Sequence, residues 1–324
     1  MNTFKVGIVG YGNLGRGVEV GLKNTKDLEL VGIFSRRDPK QLDTTSPAYH
    51  IDELDSFKDE IDVLLLCGGS QKDLPVQAPQ LAKNFNTVDT YDNHNEIPTH
   101  FEKLDRVAKE NNTVAVLSTG WDPGLFSLNR LFAEAILPEG DTYTFWGPGL
   151  SQGHSDAVRR VEGVKQAVQY TMPQEKMVED VKNKKKVDYN KLSAHKRVVY
   201  VVLEEQAEQD KVKEAIVMMP DYFEGYETEV HFIDENTFAS EHSGMPHGGT
   251  VLRQGQTSEG NTSVYQFALD LDSNPEFTAA VAIAYARAAA KLARDKAFGA
   301  KTVFDIAPGY LSPKDPADLR RELL

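Results

Sequence analysis

The feature that most constrains this chain is a glycine-rich turn near its N-terminus, placed between a strand-like segment and a helical one. Residues 4–9 favour β structure, and residues 10–16 have the sequence GYGNLGR. A helical pattern follows to about residue 24, and a second apolar strand, Leu28 to Phe34, completes a βαβ unit. In this position the G-x-G-x-x-G pattern indicates a dinucleotide-binding fold, with a glycine turn that binds no ligand as the alternative.

The glycines of this turn have separate expected functions. Gly10 allows the tight turn, Gly12 lets a pyrophosphate approach the backbone, and Gly15 lets the helix pack on the strand. The N–H groups at the positive end of the helix then bind the phosphates. The loop residues expected to contact the cofactor are Gly10, Tyr11, Gly12, Asn13, Leu14 and Gly15.

The first 121 residues continue this pattern. Further strand-like runs cover residues 62–67, 86–90 and 113–119, and a helix lies near residues 99–109. Strands that alternate with helices predict an α/β fold with a doubly wound parallel sheet of the Rossmann type. After Trp121 the helices become fewer, which predicts a second, α+β domain with an open mixed sheet. Its strand-like runs are residues 143–146, 167–171, 197–203, 226–233 and 263–271.

The C-terminal elements suggest a discontinuous first domain. A long Ala-rich helix is expected from Pro275 to Ala297 with Asn274 as its N-cap, followed by a short strand at 302–306 and a helix capped by Ser312. We expect these elements to pack on the first domain. Residues 1–121 and 275–324 would then form a dinucleotide-binding domain, and residues 122–274 a second domain. The compositions of residues 174–193 and 252–262 indicate loops.

Charge and cysteine content exclude several kinds of site. The formal net charge of −13 disfavours a nucleic-acid partner or an anionic membrane surface, because both need a basic footprint. The basic cluster at residues 182–186 is interpreted as a solvated loop. With Cys67 as the one cysteine, no intramolecular disulfide and no cysteine-based metal site can form, and we expect no metal. The chain begins without a signal-type segment, and we expect a cytoplasmic protein that acts on a small molecule.

The end of the second strand predicts which dinucleotide binds. An acidic residue there would hold the ribose 2′-hydroxyl of NAD and repel a 2′-phosphate. This chain instead has Ser35, Arg36 and Arg37, a hydroxyl and two guanidinium groups that suit a dianionic phosphate. NADP is therefore favoured. The alternative is that both arginines are solvated turn residues, and Asp38 nearby weighs against the phosphate.

The ends of the third to fifth strands are expected to face the same crevice. Small residues that allow close approach of a ligand follow the third strand, and the fourth strand adds polar groups. The residues expected to contact the cofactor here are Cys67, Gly68, Gly69, Ser70, Thr90, Asp92 and Asn93. Cys67 is interpreted as a buried filler rather than a catalytic thiol, because no partner base is evident.

Two aspartates at these strand ends are the candidate catalytic residues. Asp92 follows the fourth strand and Asp122 the fifth, and Pro123 is expected to hold Asp122 extended and outside the next helix. A pair of acids near the nicotinamide suits an ammonium group on the substrate, or proton transfer to and from a nitrogen. Each is alternatively an ordinary loop or N-cap aspartate. The sequence does not decide whether Asp89 or Asp92 faces the ligand, and His94 is interpreted as a loop residue.

Several longer motifs closely resemble those of the meso-diaminopimelate dehydrogenase family, and the resemblance spans nearly the whole chain. Those of the second domain are far more specific than the glycine loop. The motifs are GYGNLGRG at 10–17, DTYDNH at 89–94, STGWDPG at 118–124, FWGPGLSQGHSDA at 145–157, HKR at 195–197, MPDYFEGYE at 219–227, GMPHGG at 244–249 and NPEFT at 274–278.

The resemblance implies an activity and a set of substrate contacts. The activity is the reversible oxidative deamination of the D-centre of meso-2,6-diaminopimelate, with NADP⁺ accepting a hydride, in diaminopimelate and lysine biosynthesis. Asp92 and Asp122 resemble the partners of the D-centre amino group, and Trp146, Gln152 and Gly153 the segment that holds its carboxylate. The residues that resemble donors to the carboxylate of the distal L-centre are Thr171, Arg197 and His247, and Asn274 resembles a further contact to that end. The family also implies at least a homodimer, with the second domain binding substrate and forming the dimer.

Two points stay open in this interpretation. The proton acceptor is Asp92, Asp122 or a water between them, and His154 is a neighbour of the pocket or a structural loop residue. The alternatives to an amino-acid dehydrogenase are another NADP oxidoreductase, such as a dihydrodipicolinate-reductase-like or sugar-dehydrogenase-like enzyme, and a non-catalytic NADP sensor. The absence of a lysine after the fourth or fifth strand disfavours the first, and the paired acids with Arg197 disfavour the second.

Overall fold

The computed structural model describes residues 3–324 and divides into two compact units. Unit 1 combines the chain up to Leu128 with Pro275–Leu324, and unit 2 is Asn129–Asn274. The strands of the described chain are β1 (Phe4–Val9), β2 (Leu28–Ser35), β3 (Ala48–His50), β4 (Val63–Leu66), β5 (Asn86–Asp89), β6 (Val114–Val116), β7 (Glu139–Trp146), β8 (Gly149–Leu150), β9 (Val164–Pro173), β10 (His195–Leu203), β11 (Glu227–Phe232), β12 (His247–Ser258), β13 (Asn261–Leu271) and β14 (Gly299–Lys301).

Helices occur in both units, and α4 crosses the division between them. The α-helices of the described chain are α1 (Asn13–Lys23), α2 (Leu74–Leu81), α3 (Ile97–Asn111), α4 (Leu125–Ile136), α5 (Gln152–Val158), α6 (Glu175–Lys182), α7 (Lys191–Ala194), α8 (Gln209–Val217), α9 (Glu235–Glu241), α10 (Asn274–Arg294) and α11 (Pro316–Leu323). Short 3-10 helices cover Pro39–Gln41, Ile51–Phe57, His94–Glu96 and Pro308–Leu311. None of the helices within residues 3–324 has the length and apolar content that a bilayer crossing requires.

Unit 1 contains the predicted doubly wound parallel sheet. Its seven strands have the order β14-β6-β5-β4-β1-β2-β3, and every neighbouring pair is parallel. Successive side chains of a strand point to opposite faces, so Ile8 and Leu65 lie in one core and Val9 and Leu66 in the other. The strand order reverses between β1 and β4, which is the point where ligands bind in open α/β sheets.

Helices α1 and α10 cover one face of this sheet. α1 buries Val18 and Leu22 along one stripe, and Gly17 of the same helix lies against the start of α10. A Cβ on Gly17 would be 3.0 Å from the carbonyl oxygen of Pro275, so a small residue lets the two helices approach. The alanines of α10 have little side-chain entropy to lose and sit in the core around the fully buried Tyr285. This packing explains why the C-terminal helix belongs to the first unit.

Unit 2 has the predicted mixed and open sheet structure, divided into two sheets. One has the order β11-β10-β9-β8, in which β10 and β11 are parallel and the other pairs antiparallel. The other, β13-β12-β7, is antiparallel throughout. Val199 and Val201 of β10 pack with residues of α5 and α8 in one core, while Phe145 and Leu252 form the centre of a second core.

The loop predicted for residues 252–262 is wrong, and the loop predicted for residues 174–193 is correct only for residues 183–190. Residues 252–262 belong to the β12–β13 hairpin, in which the fully buried Leu252 pairs with Gln266 of β13 and Tyr143 of β7. The composition is polar because the hairpin end, residues 256–261, is exposed, and the pairing of β12 with β7 is non-local. Within 174–193, α6 places Val181 in the second core of unit 2 beside Met177 and Val178. That apolar stripe is hidden in the composition by the lysines around it.

The C-terminal predictions are correct in kind but not in detail. α10 is confirmed, although it begins at Asn274 and ends at Arg294. The last strand is β14 and not residues 302–306, where the Asp305 carboxylate accepts a hydrogen bond of 2.8 Å from Thr302 N and closes a turn. The terminal helix is capped by Asp315, which accepts bonds from Ala317 N and Asp318 N, and not by Ser312.

Candidate active site

The glycine loop has the geometry that its sequence predicts. Gly10 has φ +92°, a conformation that residues with a Cβ rarely adopt, and it follows β1 directly. A Cβ on Gly15 would overlap the carbonyl oxygen of Gly10, whereas a Cβ on Gly12 would meet nothing within 4 Å. The first turn of α1 contains no acidic residue. The loop is therefore tightly packed at Gly15 and open at Gly12. The open space at Gly12, next to the positive end of α1, can accommodate a pyrophosphate.

A buried carboxylate that the sequence did not reveal supports this loop. Glu19 on α1 accepts hydrogen bonds from the Tyr11 hydroxyl, from Thr44 Oγ1 at 2.8 Å and from Ser46 Oγ at 2.6 Å. Burial alone would raise its pKa, but the bonds from Ser46, Tyr11 and Thr44 hold the pKa of Glu19 below its ordinary value. An anionic Glu19 thus joins the glycine loop to the segment that follows β2.

Ser35, Arg36 and Arg37 at the end of β2 have different partners. The Ser35 hydroxyl is buried and accepts a hydrogen bond of 3.1 Å from Arg37 N. Arg37 Nη2 donates to the carbonyl oxygen of Tyr11 and so braces the glycine loop. The side chain of Arg36 is 68% exposed, and its Nη2 lies 2.9 Å from Asp73 Oδ1. An ion pair this exposed stabilises by about 0–1 kcal/mol, so a dianionic phosphate can compete with Asp73 for the guanidinium.

The segment after β4 is held close to the glycine loop. Cys67 N donates a hydrogen bond of 2.8 Å to the carbonyl oxygen of Val9, the last residue of β1. Gly69 N donates to Asp73 Oδ2 at 3.0 Å, which fixes the turn before α2. Burial raises the pKa of the Cys67 thiol to about 12. A thiol with this pKa is not a nucleophile near neutral pH, which agrees with its interpretation as a filler.

The structure resolves which acid after β5 faces outward. Asp89 is 2% exposed, whereas Asp92 is an exposed residue whose N–H donates to Ser70 Oγ at 3.1 Å. The ends of β4 and β5 are therefore linked at the backbone of Asp92. Thr90 is half-buried, and Asn93 and His94 are exposed.

Asp122 lies in a tight turn between β6 and α4. Gly120 N donates to the carbonyl oxygen of Pro123 at 2.9 Å, and a Cβ on Gly124, which has φ +132°, would overlap Gly120. The Asp122–Pro123 peptide is cis, and α4 begins at Leu125. Asp122 is thus outside the helix, as predicted, but in a turn rather than in an extended segment. Its side chain is half-buried.

Unit 2 places Thr171 and Arg197 side by side. They are paired residues of the antiparallel strands β9 and β10, and Arg197 Nη1 donates to Thr171 Oγ1 at 2.5 Å. Arg197 is 8% exposed, its guanidinium lies 4.0 Å from the centre of the Tyr226 ring, and its Nε has no hydrogen-bond partner within residues 3–324. Burial lowers the pKa of Arg197, a shift that Tyr226 opposes. A buried guanidinium with a free donor is a ready receptor for a carboxylate.

Trp146, at the end of β7, is supported by a histidine that sequence analysis had recorded only within a motif. Trp146 N donates to His195 Nε2 at 2.9 Å, and the two rings are 5.3 Å apart. His195 Nδ1 lies 3.1 Å from the carbonyl oxygen of Lys191, and burial lowers the pKa of His195. A neutral imidazole that accepts at Nε2 and donates at Nδ1 fits both bonds.

The remaining candidates of unit 2 lie on three segments. Gln152 and Gly153 are exposed at the start of α5, and Gln152 Nε2 donates to the sulfur of Met245 at 3.3 Å. The His247 ring packs against Gly149, and a Cβ added at Gly149 would collide with this ring. Asn274, at the start of α10, donates its N–H to the carbonyl oxygen of Met245 at 3.0 Å. Met245 thus contacts two of the three segments.

His154 is held within α5 rather than in a loop. Its Nδ1 lies 2.7 Å from Ser151 Oγ, and its ring also forms a hydrogen bond with the backbone of Tyr222. Burial and the nearby charge of Arg197 lower the pKa of His154 to about 4. The contacts with Ser151 and Tyr222 hold the ring in place, which favours the structural interpretation. Within residues 3–324, no group of three or more His, Cys, Asp or Glu side chains is arranged to hold a metal.

Comparison with known proteins identifies the family. Residues 120–273 match the model of the diaminopimelic acid dehydrogenase C-terminal domain. Meso-diaminopimelate D-dehydrogenase of Ureibacillus thermosphaericus is 52% identical over 326 aligned positions, which cover 100% of both chains.

Two solved structures extend the comparison. An engineered D-amino acid dehydrogenase bound to NADP⁺ has a TM-score of 0.85 and 47% identity, with 100% of both chains covered. A six-substitution variant of the Clostridium tetani meso-diaminopimelate dehydrogenase, solved with DAP (diaminopimelate), has a TM-score of 0.92 and 49% identity, covering 99% of this chain and 100% of that one. This chain belongs to the meso-diaminopimelate D-dehydrogenase family.

Proposed function

We propose that this protein catalyses the reversible, NADP-dependent oxidative deamination of the D-centre of meso-2,6-diaminopimelate. The products are L-2-amino-6-oxopimelate, a precursor of tetrahydrodipicolinate, together with ammonia and NADPH, in diaminopimelate and lysine biosynthesis. The observation that carries the proposal is the buried Arg197 beside Thr171, with its Nε unpartnered among the described residues. A substrate with a carboxylate far from its reacting centre satisfies that donor, and a simple amino acid does not.

The cofactor site rests on the shape of unit 1. The open space at Gly12 and the unneutralised start of α1 support pyrophosphate binding by residues 10–15. Ser35, Arg36 and Arg37 would hold the 2′-phosphate, Arg36 by charge and Arg37 by bracing the loop. Residues 67–70 together with Thr90, Asp92 and Asn93 would form the side of the site towards the nicotinamide. The bound cofactor supplies the acceptor for a hydride.

Asp92 and Asp122 would bind the ammonium of the D-centre. Each follows a strand of the parallel sheet of unit 1, the exposed Asp92 after β5 and the half-buried Asp122 after β6. Two carboxylates hold an ammonium in place and direct the hydrogen on its carbon. In the oxidative direction the nitrogen loses its proton to one of these carboxylates, directly or through a water, while the carbon loses a hydride. Water then adds to the resulting imine, and ammonia leaves.

The residues of unit 2 would bind the two carboxylates of the substrate. Trp146, Gln152 and Gly153 would shape the pocket for the D-centre carboxylate, and Thr171, Arg197, His247 and Asn274 would bind the distal L-centre. The DAP-bound variant from Clostridium tetani supports this assignment, because its substitutions replace six residues of the same types, in the same order and at the same spacing, as six of this chain. The corresponding residues here are Gln152, Thr171, Arg197, Pro246, His247 and Asn274.

Domain roles and assembly complete the proposal. Unit 1 would bind the dinucleotide, and unit 2, with a boundary that sequence analysis placed at residue 122, would bind substrate and form a homodimer. The exposed apolar side chains Leu131, Phe132 and Ile136 of α4 support an interface there, with exposures of 43%, 42% and 62%. Sedimentation at micromolar concentration tests the dimer. A cytoplasmic location agrees with the use of NADP(H) as a cosubstrate.

The test is a spectrophotometric assay of NADP⁺ reduction at alkaline pH. Meso-diaminopimelate is compared with its L,L isomer and with simple D-amino acids at equal concentration. We expect reduction with the meso compound and little with the L,L isomer, because only the former has a D-centre. No reduction with the meso compound would contradict the proposed function, and equal rates with simple D-amino acids would contradict the role of Arg197.

A further inference from the structure

Asp89 is a buried acid that the proposed mechanism does not use. It is the last residue of β5 and is 2% exposed. Its Oδ1 accepts hydrogen bonds from Tyr91 N at 3.0 Å and from Ser118 N at 3.1 Å. Its carbonyl oxygen accepts two more, from Thr119 N at 3.0 Å and Thr119 Oγ1 at 2.8 Å. One residue therefore binds both the chain that follows it and the chain that follows β6.

The second carboxylate oxygen of Asp89 has its own partner. His100 Nε2 of α3 lies 3.4 Å from Asp89 Oδ2, and His100 is 6% exposed. The His100 ring stacks on the ring of Tyr91, with the centres 4.2 Å apart and an angle of 27° between the planes. Through His100, α3 therefore fixes both the carboxylate of Asp89 and the ring of Tyr91. Each carboxylate oxygen of Asp89 thus has a protein partner.

These bonds lie where the regular sheet ends. The ladder between β5 and β6 ends at the pair Val88 and Val116. Beyond it, Asp89 replaces the ladder by holding Ser118 and Thr119 to β5. Ser118 has φ +59°, so the chain turns sharply at this point and its N–H is directed to the carboxylate instead of to a strand. Here the contact depends on Asp89 alone, whose carboxylate accepts from Ser118 and whose carbonyl oxygen accepts from Thr119, instead of on continued pairing of two strands.

The segments that Asp89 joins carry the two candidate catalytic residues. Asp92 follows Tyr91 directly, and Asp122 lies four positions after Ser118. We propose that Asp89, supported by His100, is a positioning residue that fixes the segments bearing Asp92 and Asp122 in register with each other. The inference rests on the proposed function, since it assigns Asp89 to the site that would bind the reacting ammonium.

The test is a series of variants of the full-length protein, assayed with meso-diaminopimelate and NADP⁺ well below their melting temperatures. Asp89→Leu removes both acceptors and should lower kcat on the order of 100-fold, because a displacement of about 1 Å at reacting groups has that effect. Asp89→Asn keeps one oxygen for the two N–H groups and should retain kcat within about fivefold of the wild type. NADPH affinity, measured by fluorescence titration, should fall by less than kcat in both variants, because the glycine loop and the end of β2 are unchanged and only the residues after β5 lie on the nicotinamide side of the proposed cofactor site.

Two further variants keep the inference testable if Asp89→Leu does not fold. His100→Phe keeps the stack on Tyr91 but loses the bond to Asp89, and should lower kcat by roughly tenfold with NADPH affinity unchanged. Asp27→Asn is the matched control. Asp27 is a buried aspartate of the same unit that pairs with Arg287, and it directly precedes β2, whereas the candidate site residues follow the C-terminal ends of the strands. It should lower the melting temperature and leave kcat unchanged.

The outcomes separate the two proposals. Wild-type kcat in Asp89→Leu or in His100→Phe, or equal losses of kcat and NADPH affinity, would overturn the positioning role. A loss in Asp89→Asn as large as in Asp89→Leu would also overturn it, because the charge and not the geometry would then matter. A wild-type enzyme that does not oxidise meso-diaminopimelate would overturn the proposed function itself, and the positioning role with it.

Discussion

The proposed cofactor site of unit 1 and the proposed carboxylate site of unit 2 are built by different means. In unit 1, the cofactor loop consists of neighbouring residues, and its glycines matter because they leave backbone exposed and space free, as at Gly12. In unit 2, the key contact joins Thr171 and Arg197, which are distant in sequence and meet through strand pairing. A site made of backbone is tolerant of the surrounding side chains, whereas a site made of paired side chains depends on each of them. Substitutions in unit 2 should therefore change substrate choice strongly.

Arg197→Met should have the largest effect. A distal carboxylate would lose a buried charged partner, which corresponds to about 2–5 kcal/mol, so kcat/KM for meso-diaminopimelate should fall on the order of 1000-fold. Lys196→Met is the matched control, because Lys196 is the adjacent residue of β10 and pairs with Glu229 at 2.7 Å. Steady-state kinetics with an aliphatic D-amino acid complete the test. Because that substrate has no distal carboxylate to contact Arg197, its kcat/KM should not fall in Arg197→Met. Equal losses for both substrates would show that Arg197 acts on the fold and not on the distal end.

Asp122→Asn should come second. Removing one charge from the pair proposed to bind the reacting ammonium corresponds to about 1.5–3 kcal/mol, so kcat should fall roughly 10- to 100-fold. NADPH affinity should stay close to that of the wild type, because the glycine loop and the end of β2 are unchanged. Fluorescence titration beside turnover measurements checks both expectations. A large loss of NADPH affinity would place Asp122 in the cofactor site.

Arg36→Glu should have a smaller effect that is confined to the cofactor. The exposed guanidinium would be replaced by a group that repels a 2′-phosphate, and kcat/KM for NADP⁺ should fall by about tenfold or more. The ratio of the values for NADP⁺ and NAD⁺ is the measurement. Lys109→Glu is the control. It makes the same charge change at the ion pair between Lys109 and Asp105, both on α3, and should leave the ratio unchanged. An unchanged ratio in Arg36→Glu would show that this strand end does not select the cofactor.

His154→Gln should have the smallest effect, visible only in acid. The pKa of His154 is lowered from 6.5 to about 4 in the folded chain, so the unfolded chain binds more protons between these values. His154 therefore costs stability as the pH falls from about 6.5 towards 4. Urea unfolding at roughly pH 7.5 and pH 5 should show a smaller acid-induced loss in His154→Gln than in the wild type. His94→Gln, at an exposed histidine, is the control, and identical losses in all three proteins would contradict the prediction.

The same contrast explains what could be predicted from sequence. The parallel sheet of unit 1 follows from local alternation of strands and helices, and the glycine loop follows from spacing alone. Strand β13 was predicted, but β12 was missed because its last residues are polar and exposed and its pairing with β7 is non-local. Likewise, nothing local distinguishes Asp89 from Asp92, since one is the last residue of β5 and the other lies three positions later. Their difference depends on contacts with Ser118 and His100, which only the fold provides.

Some supporting residues carried no usable sequence signal. Glu19 lies in the middle of α1, where a charged residue suggests a solvated face, yet it is 5% exposed and bound by three hydroxyl groups. Its partners Thr44 and Ser46 are separated from it by a complete strand. His195 could have been suspected from the HKR motif, but its bond to the backbone of Trp146 depends on how β7 and β10 are placed. Residues that support a site are thus harder to predict than residues that form it.

The raised pKa of the half-buried Cys67 gives this protein a practical property. With a pKa of about 12, fewer than about one in ten thousand of these thiols is a thiolate at neutral pH, so alkylating dyes and spin labels will react with it very slowly. Because Cys67 is the one cysteine of the chain, a cysteine introduced at any exposed position would be labelled almost exclusively. Two such positions, one in each unit, would report the distance between the units during turnover. The wild-type sequence is in effect already a background for site-specific labelling.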